Sequence, residues 1–432
     1  MRVALIAFLL AVVPTLAFAQ MEADQVDTSI LVNAKPGTFH FSIASGGGVI
    51  GTRSSGSLLG IDSVVNWSSY FYVPGFFNDV VGAPLGPQFT WQYTMVGRTP
   101  FKTDEEQTTR IDAPIVPVIV DLRNFDGSPR FLNGHRLISD PSKYVQPVLN
   151  SPVFAQNFYS SSGSATQISD AIQRAEFFHV ASSGWHTLLR PRVKQARTMA
   201  LIRGTYRFAV NADGSCCAFI LVDINTFFAA LFPPTFTGND TTTPVGQAET
   251  AGDIRTSDIS TFLFPDTYLY FNGDPNQCCV LGFHNYDLEQ GTRQNGFRER
   301  RYVLNYSSWI SPGLFQTFQD ITAVSHEIAE TYNDPFGFNI TPWWLAPNGN
   351  CQNSLETGDV IEGLPNSLYP ITMNGFTYHP QNEALLEWFA GETPSSAISG
   401  AYSYPDTTVL NSASVSLTQN CTGVFAAAKV HR

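Results

Sequence analysis

The stretch that decides the fold covers residues 323–335 and reads AVSHEIAETYNDP. It differs at one position from the zinc-binding helix pattern H-E-x-x-H, because Glu330 stands where the second histidine would be. His326 and Glu330 are four residues apart, so on a helix their side chains share one face and can reach a single ion. Glu327 lies beside them, where a carboxylate can act as general base toward a metal-activated water. We therefore predict a metal-binding helix near residues 315–332.

Apolar and polar residues separate onto two faces of this predicted helix. Ile321, Val324 and Ile328 recur at helical spacing on the side expected to pack against the core. His326 and the two glutamates lie on the other side, which we expect to line a cleft. Two acids three residues apart repel each other by roughly a few tenths of a kcal/mol unless a cation lies between them. The pattern thus favours a metal site over an ordinary solvent-facing helix.

Further ligand candidates follow the helix. The segment LETGD supplies Glu356, our prediction for the third ligand, and Asp359 as its supporting partner or substitute. His379 and His284 remain candidates, either as ligands or as donors that steady an oxyanion; we favour His379 for the catalytic role. Asp334 precedes Pro335 and is expected to lie in the turn that ends the helix.

The predicted ligands also bear on the identity of the ion. One histidine and two glutamates already neutralise a divalent cation, whereas two histidines and one glutamate leave it a net positive charge. The less positive ion polarises a carbonyl less and acidifies its water less. Zinc is the expected cofactor, and the oxygen-rich ligand set keeps calcium and manganese as alternatives.

Three segments of the chain resemble a known family. SHEIAETYNDP, LETGD and CCVLGFHNY, within about residues 270–390, are similar to the zincin-like domain of phosphate-induced, exordium-like secreted proteins and of related bacterial exported proteins. Those proteins share an S-H-E-[LI]-A-E-x-x-x-[ND]-P helix, a downstream E-x-G-D-x-C motif and a C-G-[WY]-H element. The resemblance implies a zincin-type fold with shared positions at His326, Glu327, Glu330, Glu356, Asp359 and His284. Val360 and Ile361 stand where that family has its cysteine.

The chain begins MRVALIAFLLAVVPTLAFAQ. Arg2, the apolar run at residues 3–13 and the small residues Ala17 and Ala19 are typical of a secretory signal peptide, predicted over residues 1–19. We expect a secreted or periplasmic protein with no membrane span. The net charge of −12 gives no attraction to nucleic acids or anionic membranes. The expected partner is an extracellular protein or peptide.

Six cysteines in an exported chain predict disulfide bonds. Four of them form two adjacent pairs, Cys216-Cys217 and Cys278-Cys279. Neighbouring residues on a strand point to opposite faces, so we expect each pair to bridge to two different places rather than to itself. A four-cysteine metal cluster is a weaker alternative, because adjacent cysteines lack the spacer that lets both thiolates face one ion. Cys351 is expected to pair with Cys421.

The remaining pattern predicts an α+β fold. Short aromatic runs joined by Gly-Ser turns indicate a β-rich N-terminal region over residues 20–107. From Thr108, TTRIDAPIVPVIVDLRNFDGS is typical of a buried strand, and further strands lead to the motif helix. ALLEWFA predicts a second helix after it. This pattern predicts an α+β domain over residues 108–432, and the family resemblance implies that it is a zincin-like metallopeptidase domain.

Two functional hypotheses follow. In the first, the protein is a secreted metal-dependent peptidase in which metal-activated water attacks peptide bonds, with Glu327 as general base. In the second, it is a non-catalytic extracellular or cell-surface protein with a structural or degenerate metal site. Trp343-Trp344 leaves glycan binding as a further possibility, although aromatic pairs are more often packing residues.

Overall fold

A computed structural model describes residues 23–32, 58–74, 88–101 and 107–414. The predicted signal peptide and Cys421 lie outside these ranges. The helices of the described residues are α1 (Ser29–Val32), α2 (Ser142–Leu149), α3 (Ile168–Glu176), α4 (Ile224–Leu231), α5 (Pro244–Thr250), α6 (Thr322–Asn333) and α7 (Leu386–Phe389). The strands are β1 (Ile61–Asp62), β2 (Asn66–Pro74), β3 (Gln88–Val96), β4 (Thr109–Arg123), β5 (Phe131–Leu132), β6 (His135–Arg136), β7 (Ile138–Ser139), β8 (Thr187–Val193), β9 (Arg197–Ile202), β10 (Tyr206–Val210), β11 (Cys216–Asp223), β12 (Ile259–Pro265), β13 (Thr267–Tyr270), β14 (Cys278–Val280), β15 (Gly282–Glu289), β16 (Glu299–Trp309), β17 (Ile340–Leu345), β18 (Cys351–Ser354), β19 (Ile371–Met373), β20 (Phe376–Tyr378), β21 (Glu383–Ala384) and β22 (Ser403–Tyr404).

A central sheet of eight strands organises the chain. Its main path runs β1-β16-β12-β4-β7, with β15 paired to β16 and with β8 and β9 paired to β4. β4, β12 and β16 are mutually parallel, and β15 returns antiparallel against β16. The structure confirms a mixed arrangement of helices and strands, and its centre is a parallel sheet. Among the described helices, none has the length and apolar character needed to cross a bilayer.

β4 shows how the sequence builds this centre. Its residues TRIDAPIVPVIVDLR are largely buried, as expected for a strand covered on both faces. The strand pairs with β8 as far as Ile115 and with β9 from Val118. Pro117 lies at this change of partner. A proline has no backbone N–H, and at this position it pairs with neither β8 nor β9, so no hydrogen bond to them is lost. The buried strand predicted after Thr108 is therefore the strand that joins the two halves of the sheet.

The two faces of the sheet pack into different cores. Ile111 and Ile115 of β4 lie in one core with α3 and with Val324 of α6. Val116 and Leu122 lie in the other core, with α4 and α5. On β15 and β16, residues alternate in the same way, so one set of side chains points toward α6. This alternation brings polar residues of the sheet to the motif helix.

The motif helix begins later in the chain than the sequence predicted. α6 starts at Thr322, whereas helical spacing had suggested a start near Phe315. The preceding segment is instead a closed turn, in which Ile310 and Asp320 exchange backbone hydrogen bonds of 3.1 and 2.6 Å. Asp320 has a φ of 45°, outside the helical region. The ring of Phe315 packs against the ring of Tyr268, with ring centroids 5.0 Å apart. Phe315 is therefore apolar because of this contact, and not because it lies on the buried face of a helix.

The N-terminal region is joined to the rest of the fold. β2 and β3 pair antiparallel along their full length. Asn339, after α6, accepts a hydrogen bond from Thr94 N on β3 at 2.9 Å and donates one to Thr94 O at 2.7 Å. Val26 N, near α1, donates to Phe208 O on β10 at 2.9 Å.

The prediction for the adjacent cysteines was wrong. Cys216 is bonded to Cys217, and Cys278 to Cys279. The prediction assumed trans peptide bonds, across which neighbouring side chains diverge, but both Cys-Cys peptide bonds are cis and the Cα atoms are 3.0 Å apart in each pair. The two pairs belong to strands of one four-stranded sheet, β10-β11-β13-β14. Cys351 takes part in a disulfide, while its predicted partner lies outside the described residues.

Candidate metal centre

Three parts of the chain meet around the polar face of α6. β15 contributes Gly282 and His284, the loop after β18 contributes residues 356–359, and the segment after β20 contributes Gln381 and Glu383. His326, Glu327 and Glu330 of α6 are only 3%, 3% and 2% exposed. The face that the sequence predicted to be open is therefore largely covered by other segments.

Apolar neighbours hold the covering loop in place. Leu355, Val360 and Ile361 are buried in one hydrophobic cluster, so the acids between them are drawn toward α6. Gly358 N donates to Glu330 Oε1 at 2.9 Å, and Asp359 N donates to the same oxygen at 3.3 Å. The loop thus fixes the orientation of the Glu330 carboxylate.

His326 faces two of the predicted ligands. Its Nε2 lies 3.1 Å from Glu330 Oε2 and 3.5 Å from Asp359 Oδ1. Its Nδ1 lies 3.2 Å from Gln381 Oε1, and Gln381 Nε2 donates to Gly358 O at 2.8 Å. Metal-binding histidines usually donate their second nitrogen to such an oxygen, which fixes the ring and its tautomer. His326 therefore has the arrangement of an Nε2 ligand.

His284 faces the same helix from the sheet. Its Nδ1 lies 3.3 Å from Glu330 Oε2, 3.7 Å from Glu327 Oε2 and 3.8 Å from Glu356 Oε2. The register places His284 opposite Asn305 on β16. The structure thus puts Glu356 on the His284 side of the centre and Asp359 on the His326 side, so the two acids of LETGD lie in different positions around Glu330.

Two glycines allow this close approach. A Cβ on Gly358 would lie 2.6 Å from Nδ1 and Cε1 of His326, and one on Gly282 would lie 2.6 Å from Glu327 Oε1. Such separations are shorter than van der Waals contact, so a side chain at either position would displace its neighbour. The glycine in LETGD is therefore required by the imidazole packed against it.

His379, the other predicted catalytic residue, lies beside the centre. Its Nδ1 is 2.6 Å from Asp320 Oδ2, and its backbone N donates to Asp320 Oδ1 at 2.9 Å. Thr322 Oγ1 donates to His379 O at 2.8 Å. Among the described residues, two groups of possible metal ligands cluster around α6, and His379 belongs to neither of them.

The charges at the centre perturb one another. Burial lowers the pKa of His326, but the carboxylates of Glu330 and Glu327 outweigh it and raise that pKa well above its usual value. Burial also lowers the pKa of His284, and Glu356 and Glu327 again reverse the effect. Burial raises the pKa of Glu330, but the two imidazoles outweigh it and lower that pKa. Metal ligation requires neutral imidazoles, so a cation and protons compete for this centre.

The donor set fits a divalent cation. His326 Nε2 and Asp359 Oδ1 are buried, and neither makes a hydrogen bond within the described part of the chain. These two atoms lie 3.5 Å apart. Two atoms that bind one ion through bonds of roughly 2.0–2.2 Å are separated by about 3–3.5 Å. Buried polar atoms without partners are costly, and a shared ion satisfies both. Imidazole and carboxylate ligands suit zinc, and the excess of oxygen also admits manganese.

Sequence reasoning missed three polar residues around this centre. Gln381 supports His326, and Gln352 Nε2 donates to Asp359 Oδ2. Glu383 is fully buried and accepts from Thr357 Oγ1 at 2.9 Å, and burial raises the pKa of its carboxyl well above the usual value. A buried acid or amide far along the chain has no local pattern, so no sequence signal marks these residues.

A narrow cleft reaches the centre from solvent. It measures about 250 Å³, counting its solvent-filled mouth, and it touches both His326 and Glu327. Leu281 and Phe318 supply apolar walls, and Glu362 lies among its polar lining. Of the tryptophan pair, Trp344 belongs to the core: it is 1% exposed and donates from Nε1 to Ser354 O at 2.8 Å, whereas Trp343 is partly exposed.

Comparison with known proteins identifies no relative. No protein-family model matches the chain, and neither a curated protein nor a solved structure matches it.

Proposed function

We propose that this protein is a secreted, metal-dependent hydrolase of peptide bonds with a zincin-like catalytic domain. The observation that carries the proposal is the convergence of His326, Glu330 and Asp359 in one buried cluster beside a cleft that also reaches Glu327. Zinc is the proposed ion, with manganese or calcium as alternatives. When bound, such an ion polarises a carbonyl group and acidifies water.

Glu327 is the proposed general base. Its Oε1 lies 3.9 Å from His326 Nε2, so it stands next to the proposed ligands and faces the cleft. Burial raises the pKa of Glu327, which brings the carboxylate closer to the value that suits proton transfer near neutral pH. In this role Glu327 accepts a proton from water and delivers it to the leaving amine. Gly282 leaves room for the carboxylate to do so.

The strand next to Glu327 supports a peptide substrate. β15 begins at Gly282, and among the described strands β16 is its one partner. An extended peptide can add to the edge of a sheet through main-chain hydrogen bonds. Most of β15 is buried, so a peptide would reach the strand at Gly282, which lines the cleft together with Glu327.

The proposal includes export. Cleavage after Ala19 would leave Gln20 as the first residue of the mature protein. N-terminal sequencing of the protein recovered outside the producing cell tests this directly, and a chain that retains residues 1–19 would contradict it.

A structural metal centre is the second candidate function, and one observation favours it. The proposed ligands are almost fully buried, and the enclosed space beside them has room for about one water molecule. Structural zinc sites are closed in this way, whereas catalytic sites keep a position open to water. In this alternative the ion stabilises the fold of an extracellular protein that does not catalyse a reaction.

Glu327→Gln separates the two candidates. The variant keeps the size of the side chain but loses the base, so the peptidase proposal predicts a fall in turnover of a fluorogenic peptide mixture by at least about 100-fold with metal content unchanged. Glu392→Gln is the matched control, because Glu392 accepts from Ser396 and not from the metal centre. Equal turnover by the parent and Glu327→Gln would rule out the proposed mechanism. Full metal content without turnover in the parent would support the structural role.

A further inference from the structure

The ligands around α6 form two overlapping groups. One group is His284, Glu330 and Glu356, and the other is His326, Glu327 and Glu330. Within each group, one ligand atom from every residue lies within 4.8 Å of the others. Each group contains its own imidazole, and Glu330 belongs to both. A single-ion centre uses one such group and leaves the second imidazole and its carboxylates without a function.

Glu330 is oriented as a shared ligand. The backbone amides of Gly358 and Asp359 hold its Oε1 at 2.9 and 3.3 Å. Its Oε2 then lies 3.1 Å from His326 Nε2 and 3.3 Å from His284 Nδ1. Both distances match the separation of about 3–3.5 Å expected for two atoms bound to a common ion. The carboxylate therefore faces a ligand on each side.

Four buried carboxylates surround the two imidazoles. Glu327, Glu330, Glu356 and Asp359 are each 2–3% exposed. Among the described residues, the imidazoles of His284 and His326 face these carboxylates, and both must be neutral to bind metal. One divalent ion balances two of these carboxylates, and the other two must then be protonated or paired. Two divalent ions balance the four carboxylates.

We propose that the centre holds two divalent first-row transition-metal ions, one on His326 and Asp359 and the other on His284 and Glu356, with Glu330 shared between them. Asp359 takes the place of Glu327 at the first ion, because its Oδ1 lies 3.5 Å from His326 Nε2 and Glu327 Oε1 lies 3.9 Å from it. This inference rests on the proposed metal centre but not on the hydrolysis of peptides. Pairs of metal ions occur in aminopeptidases and phosphatases, where they clamp the attacking and leaving groups. Glu327 contacts both imidazoles and keeps its role beside the pair.

Manganese is the probe, because coupled and isolated Mn²⁺ ions give different spectra. The purified full chain is stripped of metal, loaded with Mn²⁺ and desalted, and bound manganese is measured by elemental analysis. We expect about two equivalents, as in other two-metal centres, and an exchange-coupled electron paramagnetic resonance signal. His284→Gln should retain about one equivalent and show the hyperfine sextet of an isolated ion. His135→Gln is the matched control, because His135 is exposed on β6, and it should behave as the parent.

The outcomes separate this inference from the proposed function. One equivalent in the parent, with an isolated-ion spectrum, overturns the two-metal centre and leaves the single-ion hydrolase intact. No bound manganese in the parent, and no bound zinc after the same loading with Zn²⁺, overturn both. Circular dichroism verifies that His284→Gln is folded. If it is not, Glu356→Gln replaces it and should likewise lose one of the two ions; loss of neither ion from a folded variant would refute the assignment.

Discussion

Glu176 carries a prediction about stability that is independent of the metal. It is the last residue of α3 and is 2% exposed, and its Oε1 accepts a hydrogen bond from Asn333 Nδ2 at 3.0 Å. Burial raises the pKa of its carboxyl from 4.5 to about 8. The same environment contains Glu387, whose pKa burial and Glu176 raise well above the usual value.

The direction of the pH dependence follows from this shift. Between about 4.5 and 8 the folded chain keeps a proton on Glu176 that the unfolded chain has released. The stability linked to that proton is fully present below pH of about 4.5 and is lost as the pH rises through about 8. A pH of 7 lies roughly 2.5 units above the unfolded pKa, and at about 1.4 kcal/mol per unit the loss of stability is about 3.5 kcal/mol.

Replacing Glu176 with glutamine removes this penalty, because the amide stays neutral and its oxygen can still accept from Asn333. We expect the Glu176→Gln variant to exceed the parent in free energy of unfolding by up to about 3.5 kcal/mol at pH 7 and to match it near pH 4.5. Urea unfolding at both pH values measures the difference. A difference between variant and parent that stays constant from pH 4.5 to 8 would refute the reasoning.

Three further substitutions test the centre and its support. Gly358→Ala should displace the His326 ring, since the new Cβ would lie 2.6 Å from it. We expect metal affinity to fall by about 10–100-fold in a competitive chelator titration. Unchanged affinity would show that His326 is not a ligand. Gly282→Ala should crowd Glu327 instead, so turnover should fall while metal content is kept, and loss of metal would place Glu327 among the ligands. Asn339→Ala removes three hydrogen bonds, to Thr94 N, Thr94 O and Asn333 O. The free energy of unfolding, measured by urea titration, should fall by about 3 kcal/mol. A loss below about 1 kcal/mol would show that these bonds contribute little.

The sequence by itself determined the local features of the site. Helical spacing placed His326 and Glu330 on one face of a helix, and the structure keeps them there, with their ligand atoms 3.1 Å apart. The proline after Asp334 ended the helix at Asn333, as predicted, and Asp334 caps the following turn through Phe338 N and Asn339 N. These features depend on residues a few positions apart, so their physical cause is contained in the segment itself.

Only the tertiary structure decided which distant residues complete the site. The sheet register brings His284 beneath α6, and the apolar residues around LETGD carry Glu356 and Asp359 to opposite sides of Glu330. The same packing covers the helix face that its sequence had suggested was open. Long-range pairing leaves no periodic signal in the chain, because it is set by the packing of separate segments. The sequence therefore identified most of the proposed ligands, and the fold determined how they are arranged around Glu330.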